Sequence, residues 1–218
     1  MKTFRNAGIA MFIWIILSFI TSAFTFIYIF SNYELKEIIE RPDKIAAEII
    51  PLPVNIITIL ISIIVVIFTY LGYIKLGKKF DNHLLIVTSW ILLILLAIYN
   101  IVKGFINYHL IYLSSQNTYL IGFDYLLNIT FLISMIVFFI LLGVSLLKLK
   151  DKIEMSKTIG ILYIISASTM IIFVGSLLLL VTQIFAAIMF LKASKKFEKW
   201  NPQTASSAKS PRKKSRQK

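Results

Sequence analysis

The sequence predicts an all-α, polytopic membrane protein with six transmembrane helices arranged as three hairpins, the first and third related by an internal repeat. Three observations predict it. Hydrophobic residues make up 58% of the 218 and charged residues only 15%, with a mean hydropathy of +0.85. Soluble domains carry about 45–50% apolar residues, and a single soluble core made of this material would expose large apolar surfaces. Next, the last apolar run ends in Ile184-Phe185 through Lys192-Ala193-Ser194-Lys195-Lys196-Phe197-Glu198. The same frame 117 residues earlier reads Ile67-Phe68 through Lys75-Leu76-Gly77-Lys78-Lys79-Phe80-Asp81. Two membrane-length runs with one basic ending imply two helices emerging on the same face of a bilayer. Finally, the net charge of +13 is gathered in short patches between long uncharged runs.

Taken in order, Lys2 and Arg5 precede an apolar run, the first span, at 7–30. A secretory signal has a shorter apolar region of about 7–15 residues, so the run reads as an uncleaved span. Ser18, Thr21, Ser22 and Thr25 share one helical face, the pattern expected where small polar residues let helices pack closely in lipid. Residues 31–53 form the first loop. Ser31 and Glu34 make a capping box, and Leu35, Ile38 and Ile39 an apolar stripe before Pro42, which reads as a short amphipathic helix on the membrane surface. The second span covers 54–74, with Asn55, Thr58, Ser62 and Thr69 along one face, and leads into the first basic clamp.

The third span covers 84–102. Residues 103–125 form a weakly charged loop rich in Phe and Tyr, which settle at membrane–water interfaces. The fourth span, 126–147, closes on Lys148, Lys150 and Lys152. The run 158–191 is 34 residues long, about 51 Å as one helix, against a hydrocarbon core of about 30 Å. Splitting it near Gly175-Ser176 gives spans at 158–174 and 176–191, a tight hairpin. With six spans, 19 of the 23 Lys and Arg lie on one side together with both termini; with five, the split is 9 against 14. Basic residues near membrane ends stay in the cytoplasm, so six spans with cytoplasmic termini in the plasma membrane are expected. Residues 1–200 thus form the helical domain. Residues 201–218, with Pro202, Pro211, Arg212, Lys213, Lys214 and Arg216, form a polar basic tail without apolar periodicity, expected to be disordered.

Candidate sites are few. Zero cysteines exclude disulfides and thiol chemistry. The predicted spans hold no Asp, Glu, Lys, Arg or His away from their ends, which argues against a proton-coupled pump. His83 and His109 fall on opposite sides of the membrane and cannot share a metal. No cofactor and no metal site is expected. Asp124 reads as a span boundary. Asn100 and Gln183 read as interhelical hydrogen-bonding groups rather than solute contacts, and the sequon Asn128-Ile129-Thr130 opens a span and reads as accidental.

The clamps Lys75, Lys78, Lys79, Phe80 and Lys192, Lys195, Lys196, Phe197 have three readings. They act as a topology signal with snorkelling lysines, they hold anionic lipid head groups, or they dock a protein on Phe80 and Phe197 as exposed aromatics. For the tail, attachment to an anionic membrane surface is favoured over nucleic acid or ribosomal RNA, because no aromatics are interleaved for base stacking.

The segment Lys157-Thr158-Ile159-Gly160-Ile161-Leu162-Tyr163-Ile164-Ile165, followed by Val174-Gly175-Ser176-Leu177-Leu178-Leu179-Leu180, resembles the domain of unknown function 996 family, small multi-pass membrane proteins found mainly in archaea. Lys78-Lys79-Phe80-Asp81-Asn82-His83-Leu84 is similar to that family's clamp leading into its next span. The resemblance is clearest over 157–191 and leaves out the tail. It implies an integral membrane protein and carries no activity, cofactor or catalytic residue. Spans without inner ionisable groups and basic charge concentrated on the cytoplasmic side lead to a non-enzymatic expectation: a structural or accessory membrane protein whose partners are anionic lipids, another membrane protein or a second copy. The alternative is a small-solute channel or uniporter, which needs the polar faces of the first two spans to line a wet path.

Overall fold

The computed structural model describes residues 2–32, 52–109, 118–172 and 174–199. The expected surface helix of the first loop and the basic tail with Arg212, Lys213, Lys214 and Arg216 lie outside the described residues. The described chain is all helical: α1 (Lys2–Asn32), α2 (Leu52–Lys79), α3 (His83–Asn107), α4 (Thr118–Leu147), α5 (Ser156–Ser168) and α6 (Val174–Lys199), with a 3-10 turn at Met170–Ile172 between the last two. Long uncharged apolar runs leave the backbone no partner but itself, and the α-helix satisfies every interior group within one segment.

Five of these helices are long and apolar enough to cross a bilayer. In those five, only 22–33% of the apolar window is buried inside the protein, so the outward faces are hydrocarbon: Phe19, Phe24, Ile98 and Val137 are all exposed. The sixth, α5, has 13 residues, about 20 Å.

The helices pack in chain order, each on its sequence neighbours, and α6 closes back on α1. The result is a ring of six antiparallel helices. Its basic end gathers the start of α1, the α2–α3 turn, the α4–α5 connection and the end of α6. The α2–α3 turn takes only three residues because Asp81 adopts a left-handed conformation (φ 53°) and the Asn82 amide reaches back to the Gly77 carbonyl at 2.9 Å, a six-to-one helix closure. Asn82 then caps α3, accepting from the Leu85 amide at 3.1 Å, while its Nδ2 donates to the Ser145 carbonyl on α4 at 2.8 Å. The α4–α5 connection is pinned by buried Leu149 and Ile153.

The 158–191 run does double back, with its break between Ser168 and Val174 instead of at Gly175-Ser176. Thr169 Oγ1 donates to the Ile165 carbonyl at 2.8 Å and Ser168 Oγ to the Ile164 carbonyl, so hydroxyls occupy the last carbonyls of α5. Gly175 sits just past the bend, where a Cβ would overlap the Ser166 carbonyl oxygen and the Met170 nitrogen. The two arms are tied by the Ser166 and Thr182 hydroxyls at 3.2 Å and by Lys192 to Glu154 at 2.5 Å.

Helices α3 and α4 run further than the expected spans. Lys103 lies within α3 and Asp124 within α4, so neither belongs to a loop.

Candidate functional site

A ring of six helices has an interior, and side chains from all six fill it unequally along its length. Near the basic end it is plugged by aromatics. Tyr73 and Phe190, both 0% exposed, meet edge to face at 4.8 Å. The Tyr73 and Tyr163 hydroxyls bridge α2 and α5 at 3.1 Å. Beyond this bridge the interior opens into a cavity of about 340 Å³. Counting 1.5 Å per residue along the helices, it occupies depths of about 12–26 Å from the basic end.

Apolar lining comes chiefly from aromatic faces and methionines, including Trp14, Phe131, Phe139, Met135 and Met170. The polar lining divides in two. One group is already satisfied by protein. Ser62 Oγ lies 2.8 Å from the Ile59 carbonyl and 3.0 Å from Asn100 Oδ1, Asn100 Nδ2 donates to the Leu96 carbonyl at 2.7 Å, and the Tyr99 hydroxyl donates to Asn128 Oδ1 at 2.9 Å. The other group is not. Thr69 is 8% exposed and lines the cavity, but its hydroxyl oxygen, without a hydrogen-bond partner, has under 1 Å² of accessible surface and does not open onto it. Gln183 lines the same cavity, and among the described residues its amide has no protein partner. Among the described residues no Asp, Glu, Lys, Arg or His lines this space, and the titratable groups that do are tyrosine hydroxyls. This lining can hold an uncharged molecule by packing and hydrogen bonds.

Above the cavity, away from the basic end, Lys103 Nζ sits between both oxygens of Asp124 at 2.5 and 2.7 Å. The two side chains are 27% and 19% exposed. Asn128 donates to Asp124 at 3.1 Å and accepts from Tyr99, whose ring stacks on Phe131 at 3.5 Å. A polar chain thus runs from the ion pair to the cavity wall. Sequence reasoning missed it. The available signal was spacing: Tyr99 with Lys103 and Asp124 with Asn128 are each four apart, placing each pair on one helical face.

The two clamps meet at one end of the bundle. Lys79 Nζ lies 3.0 Å over the Phe197 ring, which touches Phe80 at 6.2 Å and Phe4 at 5.6 Å. Lys75 donates to Thr3 Oγ1 at 3.1 Å, while Lys78, Lys195 and Lys196 are exposed. The expectation of exposed aromatics is corrected: Phe197 is 7% exposed and belongs to the core, and Phe80 packs against it. These rings close the end of the bundle and are not free for docking. Asn100 makes the expected interhelical bond, whereas Gln183 does not. Of the polar residues expected to line a path, Ser62 is buried and faces inward, while Ser22 and Thr58 are exposed. His83 stands beside Asp81 at 3.4 Å at the basic end, and His109 packs on Phe105 at 4.4 Å at the opposite end. Among the described residues no group of three or more His, Asp or Glu could hold a metal ion. No protein-family model, curated protein or solved structure matches the chain.

Proposed function

We propose that this chain is a non-enzymatic integral membrane protein that binds a small neutral solute inside its helical ring and passes it across the bilayer, as a channel or uniporter does. One observation carries the reading: a cavity of about 340 Å³ within the bundle, lined among the described residues by uncharged side chains that include the Gln183 amide. Small-molecule sites are concave, mostly apolar, about 300–1,000 Å³, and carry a few placed polar groups. In this reading the α5–α6 hairpin is inserted as the fifth and sixth spans. Lys192 to Val174 covers about 27 Å, close to the ~30 Å hydrocarbon layer. The basic end and both ends of this chain face the cytoplasm. The Tyr73–Tyr163 bridge is the inner gate and must part for release. The similarity of 157–191 to the domain of unknown function 996 family belongs to the same proposal and adds no activity.

Reconstitution into proteoliposomes tests this with a panel of neutral solutes from glycerol to one- and two-ring phenols. Flux of at least one member, lost when Leu96→Trp fills the cavity, is the expected result. Absence of flux for the whole panel, or flux indifferent to Leu96→Trp, would reject it.

A second reading concerns the basic end. Lys78, Lys195 and Lys196 are exposed there and would hold anionic head groups, each worth about 1 kcal/mol near an anionic leaflet, with the tail adding to them. Deleting residues 201–218 should weaken salt-sensitive binding to anionic liposomes; binding unchanged across a salt series removes the tail from this reading.

A further inference from the structure

We infer that the cavity's ligand is a neutral, lipid-soluble two-ring aromatic compound bearing at least one hydroxyl or carbonyl; this rests on the reading of the cavity as a solute site.

Charge comes first. Among the described residues no Asp, Glu, Lys, Arg or His lines the space, and an ion stripped of water there would meet no counter-charge from them, which disfavours carboxylates, ammonium groups and phosphates alike. Size is next. A protein cavity of about 150 Å³ accepts benzene, and this one is about 340 Å³, room for two fused rings. Shape follows from the walls. Trp14, Tyr99 stacked on Phe131, Phe139 and Tyr163 present ring faces and edges, and aromatic pairs gain about 0.5–1.5 kcal/mol beyond area burial. Met11, Met135 and Met170 line the gaps, where thioether sulfur packs favourably against ring edges. Ring-rich walls alone would describe any aromatic core. What separates this one is a polar side chain on its wall, Gln183, with no hydrogen bond to another described residue, whose amide can both donate and accept. A purely hydrocarbon ligand would leave that amide unbonded, and a sugar would strand its own hydroxyls against the rings. A hydroxyl or carbonyl on a fused-ring frame suits both the amide and the rings.

The test uses the full chain in nanodiscs, with equilibrium dialysis of radiolabelled 1-naphthol, naphthalene and 1-naphthoate against empty nanodiscs. One saturable 1-naphthol per chain is expected, at least tenfold tighter than 1-naphthoate and about threefold to tenfold tighter than naphthalene, the range one net hydrogen bond supplies. Gln183→Leu should shrink the 1-naphthol preference while leaving naphthalene binding unchanged, a pattern that general loss of structure does not produce. Leu96→Trp, or Met135→Trp should the first fail to give native helicity, should abolish saturable binding. Equal binding of naphthol and naphthalene overturns the polar requirement. Tighter binding of naphthoate overturns neutrality. Binding indifferent to both filling variants places the compound outside the cavity and overturns the inference. If no ring compound binds saturably while glycerol flux in proteoliposomes is blocked by Leu96→Trp, the ligand class falls and the solute-site reading stands. If neither signal appears, both fall.

Discussion

Removing one partner of the Lys103–Asp124 pair tests whether the end of the ring opposite the basic clamps is held by charge. The lysine nitrogen lies 2.5 and 2.7 Å from the two carboxylate oxygens, with side chains 27% and 19% exposed. At a charge separation of about 4 Å the attraction is ~1 kcal/mol in water and ~4 kcal/mol at an effective dielectric of 20. With most of both groups covered, the gross value lies nearer the second, and desolvation cancels part of it, leaving a coupling of about 2 kcal/mol. The two single variants should differ. Lysine freed by Asp124→Asn can extend its long stem to water, so that change should cost about 1 kcal/mol. Aspartate left by Lys103→Met cannot reach out and keeps, among the described residues, Asn128 as a donor, so that change should cost about 2–3 kcal/mol, short of the ~3–5 kcal/mol of full burial. The double variant should cost less than the sum of the singles by the coupling energy. Reversible unfolding in mixed dodecyl maltoside and SDS micelles, followed by far-UV circular dichroism, gives all four values. Strict additivity, or two singles each below about 0.5 kcal/mol, would refute the reasoning and reduce the pair to an exposed contact.

Three further outcomes follow from the packing. Phe197→Ala removes a buried ring shared by Phe4, Phe80 and Lys79 and should cost ~3 kcal/mol in the same unfolding assay, with Phe197→Leu recovering about half; a loss under about 1 kcal/mol would mean the clamp does not close the bundle. Gly143 and Gly160 face each other so closely that a Cβ on either lies 2.6 or 2.7 Å from the other's carbonyl oxygen, so Gly143→Ala or Gly160→Ala should destabilise by about 1–3 kcal/mol, and thermal unfolding at the wild-type midpoint would contradict that contact. On the cysteine-free background, Lys195→Cys and Lys2→Cys should react with an impermeant maleimide only in inverted vesicles and His109→Cys only in intact cells; reaction of Lys195→Cys in intact cells would reverse the proposed orientation.

The sequence made the basic end legible because charge is excluded from apolar spans and so marks their ends. Phe80 and Phe197, in register across 117 residues, do meet. Their burial was hidden, since a residue following three lysines looks exposed until the start of α1 supplies Phe4 to cover it. The limits of α3 and α4 were misjudged for a related reason. A lone Lys103 or Asp124 ends a span, whereas a neutralised pair lets both helices run on, and pairing is a property of two segments at once. The bend before α6 was placed late because Gly175 looks like a hinge. Its backbone is not left-handed; the glycine is there for space, and Ser168 and Thr169 do the stopping by occupying the last α5 carbonyls. Polar stripes misled most. Ser134 is a case in point: its hydroxyl donates to the Thr130 carbonyl four residues back at 2.8 Å, so a serine can be carried on an apolar helix at little cost, and helical periodicity of Ser and Thr does not identify an inner face.

That same local bond separates packing from site. Ser145 donates to Leu142 at 2.7 Å, Ser156 to Ile153 at 2.9 Å, and Thr182 to Leu178 at 2.7 Å; each is buried and each is satisfied by its own chain within four residues. Thr69 has the same chemistry on the same kind of helix and forgoes that bond, as does Ser89; both oxygens are sealed from accessible space. Thr69 stands at the cavity wall and Ser89 away from it, yet neither unmade bond is open to a ligand, and each is a cost of packing. Thr69→Val and Ser89→Ala should therefore stabilise the protein alike, by the ~1–3 kcal/mol of a relieved buried hydroxyl, and both should leave the 1-naphthol preference untouched. Gln183→Leu should part company with them by shrinking that preference; a Thr69→Val protein that lost the preference as well would refute the separation.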